Sequence, residues 1–355
     1  MRKILLTLNI LAIVVMLLVG YSDYVDPREH SVLAVMGLFM PMVIIINVGF
    51  LFFWLIFKRK YALVALAGFL VCLGPIRRYC PVNIPKNPPK DAIKIVSYNV
   101  FMFNPWDIPE GEINPIVDYL VNSGADIICL QEAGYDVNGW SAIDSTFKSV
   151  YQYRDTTRKG GTAGDVLALY SKFPILSKER VKYASKGNLS EAYILKINGK
   201  KVLLVNNHFE TVGLNKEDKS RFHELVHGEM ERDSTRHESM FLLGKIGRNA
   251  GKRAPQADAV HELVAKYRRK GMSVIVCGDF NDTPISYTHR RVADGLTDCY
   301  VASGNGPGLS YHKSGIHVRI DNILCSDDWT PYAAKVDKTC TQSDHYPIVC
   351  WLKNR

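Results

Sequence analysis

The sequence predicts an α/β fold in which two sheets pack against each other beneath flanking helices, with a membrane-embedded segment ahead of them. Three observations carry this. The hydrophobic excess is concentrated in the first quarter of the chain, as three long apolar runs. Further on, short runs rich in branched and apolar residues alternate with helix-spaced and turn-forming segments. One pair of these runs is joined by Asn198-Gly199, the strongest short-range hairpin signal, so antiparallel neighbours are mixed into the alternation. With 355 residues, 47% of them hydrophobic, and a formal charge of +9, the chain can bury a large core, and a disordered protein is excluded.

The apolar runs are Ile4 to Gly20, Ser31 to Phe57 and Tyr61 to Ile76. A helix needs roughly 17 to 25 apolar residues to cross a hydrocarbon core about 30 Å thick. Transmembrane helices are therefore expected over 4–21, 31–57 and 61–76, the third being either a span or, because it is short, a tilted, re-entrant or interfacial helix. Arg2 and Lys3 ahead of the first run would also suit a cleaved leader. No small-x-small cleavage pattern follows, however, and more apolar spans do, which favours an anchor. Lys58-Arg59-Lys60 fill the turn between the second and third runs, whereas the first connection, Y-S-D-Y-V-D-P-R-E-H, holds only Arg28. By the positive-inside rule the N-terminus and the K-R-K turn lie in the cytoplasm. After an odd number of spans the rest of a multi-pass chain is extracytoplasmic, although Arg77, Arg78, Lys86 and Lys90 argue the other way. Residues 1–78 thus read as an anchor and 79–90 as a stiff Pro-rich connector. A globular domain occupies 91–355.

Within that domain, I-K-I-V-S-Y-N-V, D-I-I-C-L-Q-E and D-V-L-A-L-Y-S-K read as strands, followed by the Asn198-Gly199 hairpin over Ala192 to His208. S-V-I-V-C-G-D-F, R-I-D-N-I-L-C and Y-P-I-V-C-W-L continue the series. Near-continuous apolar strands imply sheets covered on both faces. Pro115 to Ser123 and Gln256 to Arg269 have helical spacing. The polar stretch near 212–255 reads as a solvated helical insertion, or as a lid or membrane-facing element bringing Lys or Arg to a substrate. Of the eight cysteines, Cys72, Cys129, Cys277 and Cys350 lie in apolar runs, where a small buried hydrophobe is the default. Cys80, Cys299, Cys325 and Cys340 would be able to pair in an oxidising space, but no spacing demands it.

The polar residues of interest each sit at the end of an apolar run: Asn99, Glu132, His208, Asp279 with Asn281, Asp321, and Asp344-His345. A strand end is where a rigid scaffold holds side chains at a cleft. Each has a plainer explanation alone. Asn99 suits a turn cap, Glu132 before Ala133-Gly134 a surface charge, His208 a satisfied core histidine and G-D-F-N-D-T-P an Asx-turn cluster. Together they form a set of hard oxygen donors and two histidines, which suits metal-assisted phosphoester hydrolysis with Mg²⁺ or Mn²⁺.

The ordered motifs S-Y-N-V, L-Q-E, Y-S-K-F-P-I, N-N-H-F, G-D-F-N-D-T-P, R-I-D-N-I-L and S-D-H-Y-P-I resemble those of the endonuclease/exonuclease/phosphatase superfamily, over about Asp91 to Lys353. The resemblance implies a four-layer α-β-β-α sandwich of two mixed sheets. It also implies roles. Glu132 is similar to the principal metal ligand, Asn99 to its neighbour at the metal and phosphate, and Asp344 to a further acidic position near the metal. Asp279 resembles the water-activating base and Asn281 the residue that orients nucleophile or phosphate. His345 resembles the histidine at the scissile phosphate, with Asp321 orienting it, and His208 the second phosphoryl donor. Asp165 lies in the region where some members give that second histidine a carboxylate partner. Two departures stand out: Asn207, where the family often has threonine, and the long segment after Glu210. The implied activity is Mg²⁺-dependent phosphoester hydrolysis at a membrane, of a phosphodiester first and of a phosphomonoester as the alternative. The substrate is then a phospholipid or sphingolipid head group presented by the lipid bilayer, or nucleic acid. No protein partner is inferable. The rival reading is a catalytically silent domain that binds phosphorylated ligands or acts as a membrane scaffold.

Overall fold

The computed structural model describes residues 2–104, 112–134, 137–159, 163–227, 232–313 and 315–355. Five helices come first: α1 (Arg2–Gly20), α2 (Ser31–Ala34), α3 (Met40–Phe57), α4 (Arg59–Val71) and α5 (Leu73–Tyr79). The segments Arg2–Tyr24 and Ser31–Phe57 are long and apolar enough to cross a membrane, and α4 with α5, bent by 66°, qualifies if the pair is one span. Helices α1, α3 and α4 pack into a bundle. Inside it, Trp54 Nε1 donates to Asn9 Oδ1 (3.0 Å) and Asn47 Nδ2 to the Ala12 carbonyl (3.1 Å). The run Ser31 to Phe57 is not one helix. A 3-10 turn over Met36–Phe39 divides α2 from α3, whose first turn holds Pro41. Proline fits a first helical turn and cannot accept a helix arriving from the N-terminal side without losing a hydrogen bond.

Two six-stranded sheets follow, with residues 81–89 bridging to them without regular structure. One sheet has the order β11-β12-β1-β2-β4-β3. Its strands are β1 (Ile93–Asn99), β2 (Ile127–Gln131), β3 (Tyr153–Arg158), β4 (Val166–Ser171), β11 (Trp329–Val336) and β12 (Ile348–Asn354). The other has the order β5-β6-β7-β8-β10-β9. It is built from β5 (Ile175–Arg180), β6 (Leu189–Ile197), β7 (Lys200–His208), β8 (Ser273–Asp279), β9 (Thr297–Asp298) and β10 (Asp321–Cys325). The pairs β1·β2 and β7·β8 are parallel and the rest antiparallel, so both sheets are mixed. Between β6 and β7 the Asn198-Gly199 turn has φ of 48° and 82°, the two left-handed residues that a two-residue hairpin loop of matching twist requires.

Strand periodicity of two explains the layers. Ile95, Ile127 and Cys129 face inward and meet Leu204, Ile275, Cys277 and Ile323 of the opposite sheet. Val96, Tyr98, Ile128 and Leu130 face outward under α6 (Pro115–Asn122) and α7 (Val137–Lys148), where Ile116, Leu120 and Phe147 cover them. On the other side Leu203, Val205, Val274 and Val276 lie under Ala257, Val260 and Val264 of the long helix α9 (Arg232–Arg268). This is the four-layer sandwich, helix on sheet on sheet on helix, with two short helices, α10 (Tyr287–Val292) and α11 (Cys299–Ser303), filling the rims. The helix expected over Gln256 to Arg269 is the end of α9, which continues through Pro255. The stretch 212–255 forms α8 (Lys216–His227) and the first part of α9, with residues 228–231 outside the described range. All eight cysteines are free thiols.

Candidate active site

Strand register brings the candidate residues together. Asp279, the last residue of β8, lies opposite both His208 of β7 and Asp321 of β10. Asn99 closes β1 opposite Gln131, and Glu132 follows at once. Gln131 ties the two sheets below the cleft: its Nε2 donates to Asn206 Oδ1 (2.7 Å), and Asn206 Nδ2 donates back to the Leu130 carbonyl (3.1 Å). The turns that aim these side chains are tight. Glu132 and Asn281 both sit at φ 50°, a region non-glycine residues seldom adopt. Gly278 has φ 130°, and a Cβ there would stand 2.0 Å from the Asn207 carbonyl oxygen.

The Asp279 carboxylate is the hub. Asn281 donates to it from its backbone N (2.7 Å to Oδ1) and its side chain (3.2 Å to Oδ2). Asn99 Nδ2 reaches Asp279 Oδ2 at 3.2 Å and Glu132 Oε1 at 3.0 Å. The imidazole of His345 lies with Nε2 3.8 Å from Asp279 Oδ2, and its Nδ1 is 2.8 Å from Asp321 Oδ2. His208 Nε2 lies 3.8 Å from Asp279 and 3.6 Å from Glu132. Both ring nitrogens of His208 are buried and have no hydrogen-bond partner among the described residues. Asp165 therefore makes no hydrogen bond to it, acting only through space to raise its pKa. Asp344 is half-buried and hydrogen-bonds none of these residues, with Ser343 Oγ 3.5 Å from its Oδ1.

Burial and charge separate the roles these groups are able to take. Burial pushes Asp279 up to about 6, against the pull of His345 and His208. Burial would lower His345, but the Asp321 and Asp279 carboxylates outweigh it and hold the imidazolium to about 10. His208, buried without a hydrogen-bonded carboxylate, is pushed down. Glu132 is raised by burial and by neighbouring Asp344, while the Asn99 amide opposes this. Ligand atoms of Asp279, Asp321 and His345 lie within 4.8 Å of one another, close enough for a metal ion. That trio is already engaged internally: Asp321 holds Nδ1, and an imidazolium offers no lone pair. The better fit for a hard divalent cation is the Glu132 carboxylate, 23% exposed toward the cleft, with the Asn99 carboxamide beside it and Asp344 in the same field.

Several neighbours were not legible in the sequence. Ser343 Oγ donates to the Asn99 carbonyl (2.7 Å), and Ser310 Oγ accepts from the backbone N of Asp321 (3.2 Å), fixing the two strand ends. The ring of Tyr311 stands edge-on to His345 at 5.1 Å, and Lys219 of α8 donates to its hydroxyl (2.9 Å). Asp282 is more than the turn residue its setting suggests: its Oδ2 accepts from Thr288 Oγ1 (2.9 Å) and from the buried Arg253 Nε (3.2 Å).

Comparison with known proteins bears on the family and the fold. Residues 96–345 match the sequence profile of the Endonuclease/Exonuclease/phosphatase family, and residues 2–79 match that of a domain of unknown function. No curated protein matches the sequence. Among solved structures, the human nocturnin catalytic domain with bound sulfate is similar with a TM-score of 0.52 at 15% identity, over 76% of this chain and 97% of that one. Truncated Caenorhabditis elegans TDP2 gives 0.50 at 16% identity, over 75% and 99%. An endonuclease/exonuclease/phosphatase family protein from Bacteroides thetaiotaomicron gives 0.50 at 16%, over 75% and 96%. At these identities the likeness is one of fold. The profile match spans most of the chain and contains every residue of the cleft, and by it the chain belongs to the Endonuclease/Exonuclease/phosphatase family of phosphoester hydrolases.

Proposed function

We propose that this protein is a membrane-anchored, Mg²⁺-dependent phosphodiesterase whose catalytic domain stands on the extracytoplasmic side. The observation that carries the reading is the convergence on Asp279 of Asn99, Asn281 and two imidazoles, next to the Glu132 carboxylate. Asp279 takes the proton of the attacking water, and Asn281 fixes the carboxylate that receives it. His345, kept cationic by Asp321, donates to a phosphoryl oxygen, and His208 offers a second ring N–H. A divalent cation held by Glu132 and Asn99, with Asp344 alongside, would offset the negative charge that develops on the phosphoryl group. Mn²⁺ satisfies the same donors.

The two ends of the bundle support this side of the membrane. Lys58-Arg59-Lys60 mark one end, and the connection between α1 and α3 packs on the globular domain at the other, with Pro27 and Ser31 against α9. The domain thus shares a side with the connection poor in positive charge. That supports a phosphoester presented at the outer leaflet. A nucleic-acid substrate has its own support, because the similar Danio rerio TDP2 was solved with a single-strand DNA product.

The test uses the full chain in lipid nanodiscs with bis(p-nitrophenyl) phosphate, then duplex DNA across a salt series and phospholipid and sphingomyelin vesicles. Turnover is expected with Mg²⁺ and none with EDTA. Loss of activity on DNA with rising salt would mark a nuclease, and activity confined to vesicles a lipid hydrolase. Turnover that survives EDTA sinks the metal-dependent reading. No turnover on any substrate favours the silent domain. Lys219→Ala is expected to raise KM about 10-fold with little change in kcat, the worth of one charge-assisted hydrogen bond to the substrate's anionic group. An unchanged KM would assign Lys219 to holding Tyr311 alone.

A further inference from the structure

Two loops leave the strand ends that carry His208 and Asp279, the second of them bearing Asn281, and one buried guanidinium holds both. Arg253 of α9 is fully buried. It donates from Nε to Asp282 Oδ2 (3.2 Å) and from Nη1 to the carbonyls of Glu210 (3.1 Å) and Thr211 (3.3 Å). Asp282 directly follows Asn281, and Glu210 lies two residues beyond His208. Helix α9 rests in turn on the connection between α1 and α3. A Cβ on Gly247 would stand 2.7 Å from the Ser31 carbonyl oxygen, so the contact is backbone against backbone. Arg28 of the same connection donates to Asp258 Oδ2 (2.9 Å) on α9 and to Tyr287 Oη (3.1 Å) on α10.

The loop after β8 also meets the bundle directly. Four residues past Asn281, Ile285 is buried in a cluster with Met16, Val19, Met40, Val43 and Cys72. A Cβ on Gly37 would stand 2.0 Å from the Ile285 carbonyl oxygen. A tether would need only the Pro-rich stretch 79–90, which already joins the two parts. Burying an isoleucine of a catalytic loop inside the helical bundle, and seating α9 on its end, instead makes the bundle and the cleft one packing unit.

We infer that the connection between the first and second apolar helices is a wall of the catalytic centre. It holds the β8 loop through Ile285, and the β7 loop through α9 and Arg253, in the shape that presents Asp279, Asn281 and His208. Gly37, Ile285 and Arg253 are positioning residues, since none touches the Asp279 carboxylate. The consequence for turnover rests on the phosphoesterase reading, whereas the holding of the loops does not.

The test uses the full chain in nanodiscs, with Gly37→Leu on the bundle and Arg253→Lys on α9. Lysine keeps the charge but cannot reach three acceptors from one planar fork. Amide hydrogen exchange of 280–286 is expected to quicken by about 10-fold or more in Gly37→Leu, while exchange in β1 and β2 stays unchanged. With bis(p-nitrophenyl) phosphate both variants are expected to lose at least about 10-fold in kcat with KM within about twofold. Arg28→Ala, at a partly exposed site, gives the same direction with a smaller effect and stands in should Gly37→Leu not fold. Unchanged exchange of 280–286 in the variant that folds overturns the inference, whether or not the protein hydrolyses anything. Faster exchange with an unaltered kcat overturns the catalytic coupling. A wild-type protein with no turnover counts against the phosphoesterase reading, and exchange then decides the docking by itself.

Discussion

Asp279→Asn is expected to lower kcat on bis(p-nitrophenyl) phosphate by about 10²- to 10⁴-fold, the range a positioned general base contributes. The substitution is nearly isosteric. The side-chain oxygen of an asparagine still accepts from the Asn281 backbone, so the β8 loop keeps that anchor, while the amide in place of Oδ2 gives up the bonds from the Asn281 and Asn99 side chains. What is lost is the proton acceptor that sits 3.8 Å from each imidazole. KM should change little, because the cation and the phosphoryl donors remain. Circular dichroism and the thermal midpoint check the fold. A kcat within about 10-fold of wild type would remove Asp279 from the base role.

His345→Ala is expected to cost about 10²- to 10³-fold in kcat, as the loss of one donor to a developing anion does. Asp321→Asn should cost less, about 10- to 100-fold, because the imidazole remains and only its orientation and charge suffer. The two residues act as one unit through the 2.8 Å bond between Nδ1 and Oδ2. The double variant is therefore expected to be little worse than His345→Ala alone. Additive losses would mean that Asp321 works independently of His345.

The central strands were legible in the sequence and the edge strands were not. The motifs I-K-I-V-S-Y-N-V, S-V-I-V-C-G-D-F and R-I-D-N-I-L-C became β1, β8 and β10, buried on both faces and therefore apolar along their length. The strands β3, β5, β9 and β11 escaped the pattern, and all four lie at sheet edges. Y-R-D-T-T-R and I-L-S-K-E-R carry charges because an edge strand has one unpaired side to keep from sticking to other chains. The same logic governs the cleft. Residues at the ends of legible strands, such as Asn99 and Asp279, announced themselves by position. Lys219 and Tyr311, 92 positions apart and both outside the strands, did not.

Apolar run length, strand periodicity and ordered short motifs, all properties of residues close together along the chain, were enough to specify the two-sheet domain, its family and an apolar helical segment ahead of it. How that segment is used was beyond their reach. The glycines of α9 look like poor helix formers until the backbone of Ser31 is laid against Gly247. Ile285 looks like an ordinary loop residue until Met16 and Met40 surround it. Arg28 meets Asp258 across 230 positions of sequence. Such contacts have no local signature, because their free energy depends on the shape of a surface that exists only once both parts have folded.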